Sequence, residues 1–337
     1  QIAPAHSTQG GGAIRGTVSG DDAFKLYDTF GFPIDLTELM ARERGYTVDI
    51  AGFETALEGQ RRRSQEERKS RKLGVGVDEL SDLAQWRAAP GAKPDATFVG
   101  YGTVEIETEV TAIKHLDGGR VAVMLRESPF YAESGGQIAD RGEIVGDGWR
   151  VDVDDVKKVE GRPAAVGVVS GTFQFGRATA RIPSDRRLDT ERNHTATHLL
   201  HAALREALGE SVHQAGSLVA PDRLRFDFTH HGAVKPDKLE SIEQRVNDYV
   251  WKALPVTYRE MPFAEARATG AMALFGEKYG DVVRVVTVPG FSMELCGGTH
   301  VRNTSEIGLV RIVQETGVAS GVRRIEAVTG PGAFAHM

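Results

Sequence analysis

The sequence contains a single cysteine among 337 residues, so an internal disulfide is excluded and Cys296 is a core residue, a reactive thiol or a metal ligand. No apolar run approaches the roughly 18 residues of a membrane helix, and no charged N-terminal stretch leads into an apolar signal segment. We therefore expect a cytoplasmic protein without a membrane partner. Positive charge is not in excess either, because the formal net charge is -6. This balance argues against loose binding to DNA or RNA over a broad basic surface.

Length and composition are those of an ordinary globular protein. Hydrophobic residues make up 40% and charged residues 26% of the chain, and its length allows two or three domains of roughly 100–200 residues. The chain opens at Gln1 rather than at a methionine, and we interpret it as part of a longer protein. Its sequence pattern predicts four segments, with boundaries at residues 1–73, 74–95, 96–183 and 184–337.

The first segment is predicted to be helical. Apolar residues at helical spacing predict one helix that ends near Gly31 and a second that ends near Gly45. A third helical stretch, from about residue 52 to residue 73, is rich in basic residues, including Arg61, Arg62 and Arg63. This stretch is either a solvated helix face or a surface that contacts phosphate groups.

Residues 74–95 combine glycines and two prolines with mixed polarity, which predicts a linker. In residues 96–183, short runs of Val, Ile and Thr alternate with polar residues between turn-like glycines. This pattern predicts a small β-barrel or sandwich, and we assign a barrel. Residues 130–137 are too polar and too rich in glycine to be another strand. They form either a hairpin turn or a loop that brings its backbone close to a ligand.

The last segment mixes helices with strands. Residues 190–208 and 236–254 carry apolar stripes at helical spacing, whereas residues 223–228 and 281–288 are predicted strands. The complete prediction is an α+β protein, in which an N-terminal helical segment and a small β-barrel precede a mixed α/β core.

Two pairs of residues in this core have the spacing of metal ligands. His194 and His198 lie four positions apart on the predicted helix, so their imidazoles project from one face. Cys296 and His300 have the same spacing, with two glycines between them that let the chain curl. Three nitrogen donors and one sulfur donor suit a single tetrahedral Zn²⁺ ion, and the thiolate argues against Mg²⁺ or Ca²⁺.

The residues alone do not decide whether this predicted zinc site is structural or catalytic. A site with all four positions filled by protein resembles structural zinc sites, since catalytic sites keep one position for water. In a rival interpretation Cys296 is a nucleophile and His300 its base, but cysteine hydrolases usually take their base from a remote part of the chain.

Other polar residues in the core are candidates for the same site. Gln214 lies in a polar, glycine-containing stretch after the zinc helix, where its amide could face a ligand. His201 is expected to pack or cap beside the helix, or else to support a metal ligand from behind. His230 and His231 are adjacent and precede a glycine, which favours a surface turn.

Taken together, these motifs closely resemble the editing domain of the alanyl-tRNA synthetase family. The blocks that carry the resemblance, in the order in which that family has them, are residues 24–33, 130–137, 193–198, 214, 296–300 and 323–330. The resemblance extends from Asp21 to Phe334. Residues 24–33 are similar to the end of that family's tRNA-recognition region, which a free-standing editing protein would not be expected to carry.

The resemblance implies a function and a set of site residues. It implies that His194, His198, Cys296 and His300 bind one zinc ion, that Gln214 lies in the editing pocket, and that Asp28 reads the identity base pair of the tRNA acceptor stem. We also predict that Cys296 acts with Gln214 in the editing site. Arg61, Arg62 and Arg63 of the basic stretch are predicted to contact tRNA. The implied reaction is hydrolysis of tRNA(Ala) mischarged with serine or glycine, with ATP needed only by the full-length synthetase and no aminoacylation by this piece. Two alternatives remain: a free-standing deacylase that edits in trans, and an RNA-binding module without catalysis, in which zinc only stabilises the fold. The sequence does not determine the oligomeric state.

Overall fold

The computed structural model describes residues 2–4, 15–30, 34–57, 77–273 and 279–337. The chain divides into two compact units. The first consists of Gln1–Gly74 and Gly317–Arg323, and the second consists of Val75–Thr316 and Arg324–Met337. The basic residues Arg61, Arg62 and Arg63 lie outside the described ranges.

The first unit contains the two helices that its apolar spacing predicts. Helix α1 spans Gly20–Phe30 and helix α2 spans Ile34–Glu43, while residues 50–57 are helical as well. Ser19 precedes α1, and its hydroxyl accepts a hydrogen bond from the backbone N–H of Asp22 at 3.1 Å, as expected of a residue that caps a helix. Asp28 lies in α1. A three-stranded sheet is formed by β1 (Ile2–Pro4), β2 (Gly16–Val18) and β3 (Tyr46–Val48).

A closed β-barrel opens the second unit, which confirms the predicted barrel. The elements of this region are α3 (Val77–Leu80), β4 (Arg87–Ala88), β5 (Thr97–Phe98), β6 (Glu105–His115), β7 (Arg120–Leu125), β8 (Glu127–Ser128), β9 (Gly142–Gly146), β10 (Trp149–Val159), β11 (Arg162–Gly171) and β12 (Arg177–Arg181). Among the described residues, six strands form the ring in the order β6, β12, β9, β10, β11 and β7, and β6 pairs with both β12 and β7 to close it.

Strand β10 shows why this sequence closes into a barrel. Trp149, Val151 and Val153 are buried, whereas Arg150 and Asp152 between them are exposed, so one face of the strand lies on the barrel core. The stretch predicted as a linker carries secondary structure of its own, because β4 pairs with β6 outside the ring. The four predicted segment boundaries stay predictions.

The rest of the second unit is a mixed α/β core. Its elements are α4 (Ser184–Leu208), β13 (Gln214–Val219), β14 (Leu224–Thr229), α5 (Pro236–Trp251), β15 (Thr257–Pro262), α6 (Phe263–Ala268), β16 (Val282–Val288), β17 (Ser292–Leu295), β18 (Val310–Ala319), β19 (Val322–Thr329) and α7 (Gly330–His336). The adjoining ends of β18 and β19, within residues 317–323, are counted with the first unit. One sheet has the strand order β13, β14, β19, β18, and another has the order β15, β16, β17.

Helix α4 runs through this core. Its apolar residues Leu199, Leu200 and Leu204 are fully buried in the same cluster as Phe226 of β14 and Ile325 of β19. The helix begins six residues earlier than predicted. The prediction missed these residues because they are mostly polar and do not show the apolar stripe on which it was based. None of the described helices is long and apolar enough to cross a membrane.

Arg187 near the start of α4 ties the helix to the barrel region. Its side chain is 2% exposed and pairs with the buried carboxylate of Asp140 at 2.6 Å. It also donates to the carbonyl oxygens of Gly100 at 2.5 Å and Pro129 at 2.8 Å. The guanidinium thus satisfies three acceptors that would otherwise be buried without a partner.

Replacing Arg187 with methionine should lower the free energy of unfolding by about 3–5 kcal/mol, because the Asp140 charge stays buried without its partner. Chemical denaturation of the purified protein measures this loss. Arg223→Met is the matched control, since Arg223 pairs with Asp222 on the surface and its removal should have little effect. Equal losses for the two variants would contradict the role of Arg187.

Candidate metal centre

Four side chains of the core converge on one point. The ligand atoms of His194, His198, Cys296 and His300 all lie within 4.8 Å of one another. The Cys296 Sγ atom is 3.4 Å from His194 Nε2 and 3.3 Å from His300 Nε2. The two residue pairs that the sequence places 102 positions apart therefore meet in a single cluster.

Two structural elements position these side chains. Helix α4 presents His194 and His198 one turn apart on its buried face, as their spacing predicts. Strand β17 ends at Leu295, so Cys296 and His300 follow it in the loop that leaves the sheet. The backbone N–H of Cys296 donates to the carbonyl oxygen of Arg284 on β16 at 2.9 Å, which holds the start of this loop against the sheet.

The three imidazoles are neutral at neutral pH. Burial lowers the pKa of His194 and of His300 well below the ordinary value, and neighbouring histidines lower it further. Burial also lowers the pKa of His198, although the nearby Glu294 carboxylate acts in the opposite direction. A neutral imidazole has a free lone pair, which is the form that binds a metal ion.

Two distances within the cluster suit a tetrahedral metal ion. Bonds of roughly 2.0–2.3 Å place neighbouring ligand atoms about 3.3–3.8 Å apart, and the two sulfur–nitrogen distances fall in this range. Without an ion, buried lone pairs of three neutral histidines would face one another. The donor set and its burial therefore support a metal-binding cluster.

The other ring nitrogen of each histidine contacts a different neighbour. His194 Nδ1 is 2.7 Å from Gln137 Oε1, and His300 Nδ1 is 3.1 Å from Thr195 Oγ1. His198 Nδ1 lies 3.5 Å from Glu294 Oε2. Contacts of this kind orient ligand imidazoles and are known to tune metal affinity.

Glu294 contacts a second histidine as well. Its Oε1 atom is 3.1 Å from His201 Nδ1, so this carboxylate bridges His198 and His201. The sequence allowed His201 either to pack beside the helix or to support a metal ligand. The shared contact with Glu294 agrees with the second interpretation.

Arg284 and Tyr101 hold the loop between Cys296 and His300. The Arg284 Nη1 atom donates to the carbonyl oxygens of Cys296 at 3.1 Å and Gly298 at 2.8 Å. The Tyr101 hydroxyl donates to the carbonyl oxygen of Gly297 at 2.6 Å. The Arg284 guanidinium also lies 4.0 Å from the centre of the Tyr101 ring, within reach of a cation–π interaction.

The two glycines of this loop have different surroundings. A Cβ atom on Gly298 would overlap the His194 ring and lie 2.8 Å from Gln137 Oε1, whereas a Cβ atom on Gly297 would have no neighbour within 4 Å. Only Gly298 is therefore required for the close approach of the loop to His194.

A small cavity opens beside the cluster. Its volume is about 50 Å³, and His194, His198 and Cys296 form part of its wall. The polar residues that complete the wall include Gln214, Thr197, Ser217, Ser134 and Glu294. Gln214, which begins β13, therefore lies close to the cluster, and the cavity is large enough only for a small group.

The remaining sequence candidates lie elsewhere. Asp28 belongs to the first unit, and His230 and His231 follow β14 in a turn, in agreement with the surface-turn prediction. Sequence reasoning missed Gln137, Thr195 and Glu294 as neighbours of the histidines. Weak signals existed, because Gln137 ends the 130–137 loop, Thr195 follows His194 and Glu294 lies two positions before Cys296.

Comparisons with known proteins identify similar chains. A family model described as "tRNA synthetases class II (A)" matches residues 7–186. A second, described as "Threonyl and Alanyl tRNA synthetase second additional domain", matches residues 283–326, which include Cys296 and His300.

Curated relatives give the same picture. A protein of Staphylococcus epidermidis is 46% identical over 335 residues, and one of Shouchella clausii is 50% identical over 330 residues. Both are named alanine–tRNA ligase. The alignments cover 95% and 94% of this chain but 37% of each relative, so the chain spans little more than a third of their length.

Exchange of the two loop glycines tests the geometry of the cluster. Gly298→Ala should weaken metal binding and lower the melting temperature, because the added methyl group displaces His194; overpacking of this kind costs about 1–3 kcal/mol. Gly297→Ala is the matched control and should behave like the parent protein. Metal content after dialysis and thermal unfolding measure both effects. A tolerated alanine at residue 298 would contradict the close approach.

Proposed function

Because the chain belongs to the alanyl-tRNA synthetase family of class II tRNA synthetases, we propose that its core is an editing site that hydrolyses tRNA(Ala) mischarged with serine or glycine. The observation that carries this proposal is the small polar cavity beside a cluster of four potential metal ligands. The partner is the mischarged tRNA, which this protein would meet in the cytoplasm.

Physical chemistry explains why such a site is needed. Serine and glycine differ from alanine by one hydroxyl or one methyl group. A small apolar pocket in an aminoacylation site rejects such analogues by only about 10- to 200-fold. A separate hydrolytic site supplies the missing discrimination. In the reaction, water adds to the ester carbonyl, the bond to the ribose oxygen breaks, and free amino acid and tRNA are released.

We assign the cluster residues His194, His198, Cys296 and His300 to one zinc ion, for which their nitrogen and sulfur atoms are suitable donors. A bound zinc ion supplies a positive centre that can polarise an ester carbonyl or orient the amino group of the substrate. The neutral state of the buried histidines leaves their lone pairs free for this role.

The cavity wall offers a way to select serine. Thr197 Oγ1 donates its hydrogen to the carbonyl oxygen of Asn193 at 2.8 Å, so the hydroxyl oxygen is left to accept a hydrogen bond. A serine hydroxyl can supply that hydrogen, whereas alanine cannot. The amide of Gln214 on the same wall is proposed to hold the substrate in the cavity. For glycine, which offers no extra group, we propose selection by shape near the ion.

The tRNA body is proposed to contact other parts of the chain. The resemblance assigns this role to Asp28 of α1, and the basic composition of residues 52–73 makes Arg61, Arg62 and Arg63 candidates for it. These contacts would explain how a protein with a net charge of -6 binds an anionic partner, because local basic stretches suffice for phosphate contacts.

A deacylation assay with tRNA(Ala) charged with labelled serine, glycine or alanine tests the function. Release of serine and glycine, with alanine retained, is the expected result. Cys296→Ala should lose the metal and slow both hydrolyses by on the order of 100-fold or more, since even the loss of a ligand's hydrogen-bond partner costs roughly 10- to 100-fold. His230→Ala, away from the cavity, is the control.

Two results would contradict the proposal. Binding of mischarged tRNA without release of the amino acid would favour a zinc-stapled RNA-binding module. Full hydrolysis by Cys296→Ala protein that contains no metal by elemental analysis would exclude a catalytic part for zinc.

Thr197→Val tests how serine is recognised. Valine keeps the shape of threonine but removes the hydroxyl, so hydrolysis of the serine ester should fall by about 10-fold or more, while hydrolysis of the glycine ester should change little. The ratio of the two kcat/KM values measures the effect. Parallel losses for both esters would argue against a serine-specific contact.

A further inference from the structure

Gln137 lies beside His194 of the metal cluster, on the side away from Cys296, although it belongs to the loop that follows β8. Its side chain is completely buried and contacts two parts of the core. The Oε1 atom is 2.7 Å from His194 Nδ1 and accepts a hydrogen bond from the backbone N–H of Thr299 at 2.9 Å. The Nε2 atom donates to Thr299 Oγ1 at 3.0 Å.

These contacts determine which way the Gln137 amide faces. A backbone N–H can only donate, so the atom that faces Thr299 N must be the amide oxygen. The same oxygen faces His194 Nδ1, and two acceptors cannot share a hydrogen bond. His194 must therefore carry its proton on Nδ1.

The position of this proton has a direct consequence for the cluster. With the proton on Nδ1, the neutral imidazole has its lone pair on Nε2, the atom that lies 3.4 Å from Cys296 Sγ. His194 is thereby prepared as a metal ligand before an ion arrives. The Thr299 contact also anchors the loop that carries Cys296 and His300.

The loop that carries Gln137 is itself held in place. The backbone N–H of Ile138 donates to the carbonyl oxygen of Val219 at 3.0 Å, and that of Val219 donates to the carbonyl oxygen of Gly136 at 2.7 Å. The loop thus pairs with the end of β13, the strand that begins with Gln214. Gly136 has a φ of 84°, and a Cβ atom there would lie 2.8 Å from Ser217 Oγ. Glycine is required at this position for the loop to lie so close.

We propose that Gln137 is a positioning residue of the metal centre, which sets the tautomer of His194 and docks the Cys296–His300 loop through the Thr299 amide. This inference rests on the zinc assignment made above. Of the two sequence interpretations of residues 130–137, it favours the loop that approaches a ligand site, with a side chain rather than the backbone making the contact.

Two variants of Gln137 separate positioning from simple packing. Gln137→Met keeps the size but removes the acceptor, so the dissociation constant for Zn²⁺ should rise by roughly 10- to 100-fold. Gln137→Glu keeps an acceptor for both N–H groups, and the Thr299 hydroxyl can turn to donate to the carboxylate. Its affinity should stay within about threefold of the parent value. Competition with a chromophoric chelator measures both constants.

Gln244→Met is the matched control. Gln244 lies on the exposed face of α5, where its side chain contacts Asp248, so zinc affinity should stay close to that of the parent protein. Parent-like affinity in Gln137→Met would overturn the proposal. A strong loss in Gln137→Glu equal to that in Gln137→Met would do the same, because it would show that an acceptor at this position does not decide the zinc affinity.

A second measurement tests the proposal without a Gln137 variant, so it does not require such a variant to fold. NMR of ¹⁵N-labelled histidine in the metal-free parent protein reports the tautomer of each imidazole, with the His194 signals assigned through their loss in His194→Asn. A proton on Nδ1 is expected, and a proton on Nε2 would overturn the proposal. If the parent protein bound no zinc, the metal assignment under the proposed function would fail, while the tautomer would still decide the part of Gln137.

Discussion

Two buried imidazoles, a half-buried third and a half-buried thiol share a space in which every ligand atom lies within 4.8 Å of the others. Such a group is unfavourable by itself, because lone pairs face lone pairs and burial removes the water that would satisfy them. A cation at the centre relieves this cost. The surrounding structure supports the same arrangement, since Gln137 and Thr195 contact the outward nitrogens of His194 and His300.

The cluster joins parts of the chain that are far apart in sequence. Helix α4 supplies two histidines, the loop after β17 supplies Cys296 and His300, and the loop near β8 supplies Gln137. Arg187 makes a second connection between α4 and the barrel region through Asp140. The histidine contacts and the Arg187–Asp140 pair both start from helix α4. The helix therefore connects the barrel loops with the loop after β17 near the cavity.

The size and lining of this cavity agree with a site for a small aminoacyl group. A volume of about 50 Å³ is far below the roughly 300–1,000 Å³ of typical ligand pockets. Under the proposed function, the tRNA body remains outside this cavity while its amino acid enters. The four ligand atoms are contributed by protein alone, which agrees with the positioning of a substrate at least as well as with activation of a metal-bound water.

Sequence by itself determined the features that depend on local periodicity. The spacing of His194 and His198 predicted one helix face, the alternation in residues such as Val151 and Val153 predicted barrel strands, and the family resemblance followed from contiguous motifs. Tertiary structure decided the contacts of Gln137, Thr195 and Glu294. Gln137 is 57 positions from His194 and 162 from Thr299, so only the packing of distant segments brings its amide oxygen to both N–H groups. Local patterns predict which face of an element is buried, whereas the partner that meets that face is chosen by three-dimensional packing.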